Sequence, residues 1–274
     1  MPEGQDPWCP ENSDLAYGEM VTLEYALANS MNTVTAKLIK DYGVDRVVEL
    51  AHAMGIETEI PAVPSIALGV AELSLMEVAN ATFAGGGVHH APRIIRRIED
   101  KRGNTIYEPR PEIRQGLDAA TAYRVLEMMK GVVDGAYNAE LGRKGTGIRL
   151  RMDLDHREYD GLKIPMAGKT GTTQSNADGW FIGLTPELVT GVWVGASDPA
   201  VRFSTTTKGQ GANTALPIFG FYMKDALADP DVGLLAEDFR PPEGATKAVP
   251  CEEVLAARSI DFRGGGDDNE DLFE

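Results

Sequence analysis

The stretch "IPMAGKTGTTQSNADGWFIG", Ile164 to Gly183, decides the fold, because two readings of its centre lead to unrelated architectures. Gly168, Lys169 and Thr170 read as the end of a phosphate-cradling loop, whereas Lys169, Thr170 and Gly171 read as one wall of a serine acyl-transfer site. A phosphate loop needs G-x-x-x-x-G-K-[ST], since a run of glycine amides must curl around phosphate oxygens before a helix opens. The first glycine would fall at position 163, which is Lys163, and Pro165 removes an amide donor from the loop. The residues beyond Ala177 are also wrong for a helix. "DGWFIGLTPELVTGVWVGAS" reads as two aromatic and β-branched runs separated by the turn Leu184-Thr185-Pro186-Glu187. Lys169 is therefore placed on the first strand of an antiparallel meander, with strands expected over Leu162–Thr172, Asp178–Gly183 and Leu188–Ala196.

Working back from the meander, the chain is mainly helical. Thr22 is read as the cap of a helix through "LEYALAN", and Asn32 as the cap of a second, "TVTAKLIKDY", ending at Gly43. Ser30 and Met31 fall in the joint between them. A third helix, "VDRVVELAHAM", carries Val44, Val47, Val48, Ala51 and Met54 on one face and stops at Gly55. Ser74 with Glu77 forms a capping box before a helix over "LMEVANATFA", which Gly85 to Gly87 end. "APRIIRRIEDKRGNTIYEP" alternates around a Lys-Arg-Gly-Asn turn and predicts a hairpin, and Asp118 caps a long helix, "AATAYRVLEMMKGVV". After the meander, "ALPIFGFYMKDALA" is apolar enough to form a helix lying on the sheet. Helices, an antiparallel sheet and a covering helix together indicate an α+β architecture.

Composition bounds the function. With 274 residues and 43% hydrophobic content the chain can bury a sizeable core. A formal charge of -16 argues against a nucleic-acid partner, although "DDNEDLFE" at the C-terminus supplies part of it. The cluster Arg93, Arg96, Arg97, Lys101 and Arg102 is read as the solvent side of the hairpin, and the adjacent His89 and His90 as surface residues without partner ligands. Cys9 and Cys251 are equally compatible with a disulfide and with two unrelated thiols, and no spacing suggests a metal site. No membrane span or export signal is present in the sequence.

"AGKTGTTQSNADGWFIGLTPELVTGVWVGASD" and "ALANSMNTVTAKLI" together resemble the transpeptidase domain of the class A (bifunctional) penicillin-binding proteins, within the penicillin-recognising serine acyltransferases. "ELSLMEVANATFAGGGVHHAPRIIRRIEDKRGNTIYE" and "GQGANTALPIFGFYMKDAL" extend the resemblance. That family sets three motifs around one cleft, S-x-x-K, S-x-N and K-[ST]-G. Ser30, Met31 and Asn32 match the second, and Lys169, Thr170 and Gly171 the third. The first is absent: the residues three beyond Ser13, Ser30, Ser65, Ser74, Ser175, Ser197, Ser204 and Ser259 include no lysine.

The resemblance implies a penicillin-binding protein/serine β-lactamase-like fold, truncated at its N-terminus, with residues 1–257 as the C-terminal part of the transpeptidase domain. A helical lobe is expected over about 20–145, the sheet and final helix over about 146–230, and an acidic disordered tail over 258–274. "VANATFAGGG" is shorter than the family's usual helix there, which would turn its face. The family's two early strands are missing, so the last meander strand would expose an edge. In the implied mechanism Ser30 relays a proton to the leaving amine, Asn32 holds the substrate amide, and Lys169 supplies positive charge. Thr170 and Thr172 would offer hydroxyls to the substrate's terminal carboxylate, Gly171 would let the substrate lie along the strand edge, and the Thr172 N–H would be half of an oxyanion hole. Thr173 joins Thr170, Gly171 and Thr172 as a substrate-binding residue, while Ser175, Asn176 and Asp178 are read as a turn.

The implied ligands are the D-alanyl-D-alanine stem peptide of peptidoglycan and β-lactam antibiotics. No cofactor or metal is implied. The complete protein would stand on the periplasmic face of the bacterial inner membrane, beside cell-wall assembly proteins, and this chain alone would be inactive. Two other classes remain open: a non-catalytic module binding cell-wall peptide or a partner, and a β-lactamase-like hydrolase.

Overall fold

The computed structural model describes residues 8–15, 17–80, 82–152, 159 and 161–245. The expected tail and Cys251 lie outside them; Cys9 is an exposed free thiol. In chain order the elements are α1 (Leu23–Ala28), α2 (Asn32–Tyr42), α3 (Val44–Ala53), α4 (Leu75–Val78), β1 (Val88–His90), β2 (Ile98–Glu99), β3 (Thr105–Tyr107), β4 (Ile113–Gln115) and α5 (Ala119–Asp134). They continue with β5 (Ala136–Asn138), β6 (Gly142–Lys144), β7 (Ala167–Thr172), β8 (Gly179–Leu184), β9 (Val189–Val194), α6 (Thr206–Gly209) and α7 (Ala215–Ala228).

The sheet that carries the site is the meander β7-β8-β9, antiparallel throughout, with Lys169 opposite Ile182 and Gly171 opposite Trp180. Strand alternation sends Phe181 to one face, where it meets Leu216, Phe219 and Met223 of α7 in a core that also takes in Val133, Leu150 and Met166. The Phe181 and Phe219 rings lie 4.8 Å apart. Gly183 makes this close seat for Phe219 available, because a Cβ there would lie 2.3 Å from the Phe219 ring. On the opposite face Ala167 and Leu184 join Tyr123, Leu126 and Met129 of α5. A third cluster, Tyr25, Ala28, Val132 and Ala136, ties α1 to α5. The helix that precedes Ser30 is thus anchored on the helix that covers β7.

Several local expectations hold. Thr22 caps α1, the Ser74–Glu77 capping box opens α4, and Asp118 caps α5 by accepting from the Thr121 N–H. The Lys-Arg-Gly-Asn hairpin forms between β2 and β3.

Others are corrected. The helix expected over "LMEVANATFA" is a single turn, because the Asn80 side chain accepts from the Thr82 N–H (2.9 Å) and hydroxyl (2.6 Å) and pulls the chain out of helix. The same Asn80 amide bonds His89 Nδ1 at 2.7 Å, so His89 is buried in β1 rather than on the surface; His90 is exposed. The first meander strand begins at Ala167 and not at Leu162. Pro165 has no N–H for a ladder, and the carbonyls of Leu162 and Ile164 accept instead from Arg151 at 2.8 and 2.6 Å.

Among the described residues β9 pairs with β8 alone, and Trp193 on it is 42% exposed. An uncovered edge of this kind templates association. The isolated chain is expected to exchange the outward amides of β9 faster than those of β8, and to self-associate as concentration rises. Hydrogen exchange read residue by residue checks this, and uniformly slow exchange across β9 in a monomer would contradict it.

Candidate active site

Two segments 139 residues apart meet where Lys169 reaches Ser30. After α1, the Asn29 side chain folds back onto the Tyr25 carbonyl (2.9 Å), and Ser30 turns into the left-handed region with φ of 52°. That conformation is uncommon for a residue with a Cβ. The Ser30 and Met31 N–H groups donate to the Leu27 and Ala26 carbonyls at 3.2 and 2.9 Å, closing a tight turn. The turn brings the Ser30 hydroxyl to β7, where Lys169 Nζ donates to Ser30 Oγ and, at 2.7 Å, to the Thr170 carbonyl.

Lys169 has no carboxylate within ion-pair distance among the described residues. Its ammonium is held by neutral oxygens in a desolvated place, and burial draws its pKa down from 10.5 to about 8. A lysine in this state gives up a proton far more readily than one in water, yet carries positive charge through most of the neutral range. Ser30 Oγ accepts from Lys169, which leaves the hydroxyl's own hydrogen free to point elsewhere.

Asn32 is the first residue of α2 rather than its cap. The cap comes from far away in sequence: buried Asn12 accepts with Oδ1 from the Thr33 N–H (3.1 Å) and hydroxyl (3.2 Å). Released from that task, Asn32 Nδ2 donates to the Glu11 carbonyl at 2.7 Å, which fixes the amide beside Ser30.

The threonines of the KTGTT strand differ in what they have left to offer. Thr170 is buried, and its hydroxyl donates to Thr146 Oγ1 at 2.7 Å. Thr173 exchanges bonds with Asp178, accepting from its N–H at 2.8 Å and donating to its carboxylate at 3.1 Å. Thr172 is exposed and only accepts, from the Gly211 N–H at 3.0 Å, so its hydrogen remains available. Of the three, Thr172 alone has a hydroxyl hydrogen not already engaged, where Thr170 and Thr172 were expected to share that task. Asp178 is more than a turn residue, since it also accepts from Trp193 Nε1 at 3.0 Å and ties β9 to the end of β7. Gly171 sits directly opposite Trp180, whose Cβ would lie 3.0 Å from any side chain placed there.

Sequence reading missed three contributors: Asn12, Gly211 and Thr146. The Thr146 N–H and hydroxyl both donate to the Ala28 carbonyl, at 3.0 and 3.3 Å. Its signal was the flanking pair Gly145 and Gly147, since a Cβ on Gly145 would lie 2.6 Å from the Gly131 and Val132 carbonyls. Among the described residues no three His, Cys, Asp or Glu side chains gather as metal ligands.

The family model for the penicillin binding protein transpeptidase domain matches residues 3–215. Penicillin-binding protein 1A of Neisseria gonorrhoeae is 31% identical over 250 residues, covering 88% of this chain and 28% of that protein. The protein of the same name from Aquifex aeolicus is 34% identical over 224 residues, covering 81% of this chain and 28% of that protein. The chain therefore spans a little over a quarter of the length of these relatives. The crystal structure of penicillin-binding protein 1A from Haemophilus influenzae superposes with a TM-score of 0.75 at 26% identity, covering 89% of this chain and 39% of that one. With the Ser30–Lys169 hydrogen bond in place and the family model matched over residues 3–215, the chain belongs to the penicillin-binding protein transpeptidase domain family.

Proposed function

We propose that this chain forms the cleft of a serine D,D-transpeptidase that cross-links peptidoglycan stem peptides through an acyl-serine, the nucleophile coming from an S-x-x-K segment that the sequence does not contain. One observation carries the reading: the Lys169 ammonium, desolvated by burial, donates to the Ser30 hydroxyl. A hydroxyl held by a desolvated lysine, with its own hydrogen free, suits a relay that passes a proton to a departing amine. Lys169 supplies the positive charge that a tetrahedral oxyanion calls for, and the Thr172 N–H serves as half of the oxyanion hole.

Substrate roles follow the same logic. Thr172 donates its free hydroxyl hydrogen to the terminal carboxylate of a D-alanyl-D-alanine peptide, and Gly171 leaves room for that peptide along β7. Thr170 and Thr173 hold the strand in shape. Asn32, fixed through Glu11, keeps Oδ1 for the S-x-x-K lysine and an amide hydrogen for the substrate carbonyl. β-Lactams enter as mimics of the same peptide. In this reading residues 1–257 are the C-terminal part of the domain, and the whole protein works at the periplasmic face of the bacterial inner membrane among cell-wall assembly proteins. No helix of the described residues is long and apolar enough to cross a membrane.

Fluorescent penicillin tests the reading. The chain alone is expected to give no band that survives denaturing electrophoresis, since none of its serines precedes a lysine by three residues. Joined to an S-x-x-K segment of the family, it should label. A labelled chain alone would reveal another nucleophile, and an unlabelled joined protein would leave a binding module as the better account.

A further inference from the structure

The bonds around Ser30 and Lys169 form a closed circuit. From the Ala28 carbonyl the path runs to Thr146 (N–H at 3.0 Å, hydroxyl at 3.3 Å), from Thr146 Oγ1 to the Thr170 hydroxyl (2.7 Å), along the backbone to Lys169, across Nζ to Ser30 Oγ, and back through Asn29 to Ala28. Thr146 is the one member of this circuit that belongs to neither α1 and its turn nor β7. It sits on a separate segment pressed against α5, where the Gly147 N–H donates to the Val132 carbonyl at 2.8 Å.

The chemistry of the position matches that placement. The Ser30 turn is held in a conformation its Cβ disfavours, and such a turn persists only where neighbours over-determine it. Besides the bonds that close it, the turn is tied from outside at the Ala28 carbonyl, two residues upstream, which receives both of Thr146's donors. The Thr146 hydroxyl meanwhile accepts from Thr170, the residue next to Lys169. One side chain therefore grips both halves of the cleft. We infer that Thr146 is a positioning residue of this site, which sets the Ser30 hydroxyl against the Lys169 ammonium by holding the end of α1 to β7.

The inference rests on the transpeptidase reading for its purpose, but its test does not. Lys169 is read directly in this chain by following its side-chain ¹³Cε resonance against pH, with Lys169→Arg identifying the signal. If Thr146 fixes the pair, Thr146→Val, which keeps the shape and removes the hydroxyl, should loosen the turn and admit water to Nζ. The Lys169 titration should then move up by about one pH unit or more toward the ordinary lysine range. Thr146→Ser, which restores the hydroxyl, should return it to the original value. A role limited to stabilising α1 would lower the melting temperature and leave the titration where it was. A folded Thr146→Val protein with an unmoved Lys169 titration would overturn the inference. Should Thr146→Val not fold, Thr170→Val cuts the same circuit at its other bond; an upward shift there supports the inference and an unmoved titration overturns it. Failure of the S-x-x-K-joined protein to acylate would remove the transpeptidase reading while leaving this result intact.

Discussion

Ser30→Ala and Lys169→Ala, each placed in the protein joined to an S-x-x-K segment, are expected to slow acylation by a β-lactam about 10²- to 10⁴-fold or more. The loss should appear in the acylation rate and hardly in the initial, non-covalent affinity, because in the proposed mechanism the charge these groups stabilise develops only as the tetrahedral intermediate forms. The double variant should be little worse than either single one, since the two side chains act through one hydrogen bond. Stopped-flow acylation with a chromogenic β-lactam separates the two constants. An unchanged acylation rate in Lys169→Ala would remove the cleft assignment and return Ser30 to Asn32 to a plain joint between helices.

The second large effect is on stability. Burial draws the Lys169 pKa from 10.5 to about 8, a displacement worth about 3.5 kcal/mol at roughly 1.4 kcal/mol per tenfold. Between those pH values the unfolded chain binds the additional proton, so this group makes stability rise with pH through that window and withholds its full contribution below pH 8. Replacing it with an uncharged side chain of similar length removes the penalty. Lys169→Met is therefore expected to be more stable than the parent by about 1 to 3 kcal/mol at pH 7, the lower figure allowing for the bonds lost at Ser30 and Thr170. The difference should fade above pH 10.5. Urea unfolding at about pH 7 and above about pH 10 measures it. A Lys169→Met chain less stable at neutral pH would show that the ammonium is not held at a loss. The same substitution should thus disable the site and strengthen the fold, as expected where a group is kept for chemistry rather than for packing.

The features legible in the sequence were local. The Leu184-Thr185-Pro186-Glu187 turn and its flanking β-branched runs lie within a few residues of one another, so β8 and β9 were readable almost to their ends. α7 was found at its observed limits, and the caps at Thr22, Ser74 and Asp118 needed only the residues three positions on. Ser30 and Lys169 were found through motif order, although no spacing rule says that they touch. The features that escaped depended on segments meeting in space. Asn32 looked like a cap because Asn12, which caps α2 instead, lies some twenty residues earlier. The bond from Thr170 to Thr146 escaped because Thr146 is drawn in by the packing of two glycines against α5. His89 looked exposed because a strand of three residues carries no pattern long enough to show its buried side.

The left-handed Ser30 restricts the genetic choices open at that position. Glycine and asparagine accept such a backbone but bring no hydroxyl, while threonine brings a hydroxyl on a β-branched side chain that resists a φ of 52°. Chemical need and backbone shape overlap at one small alcohol. A codon change from serine to threonine, conservative at most other positions, becomes a radical one here.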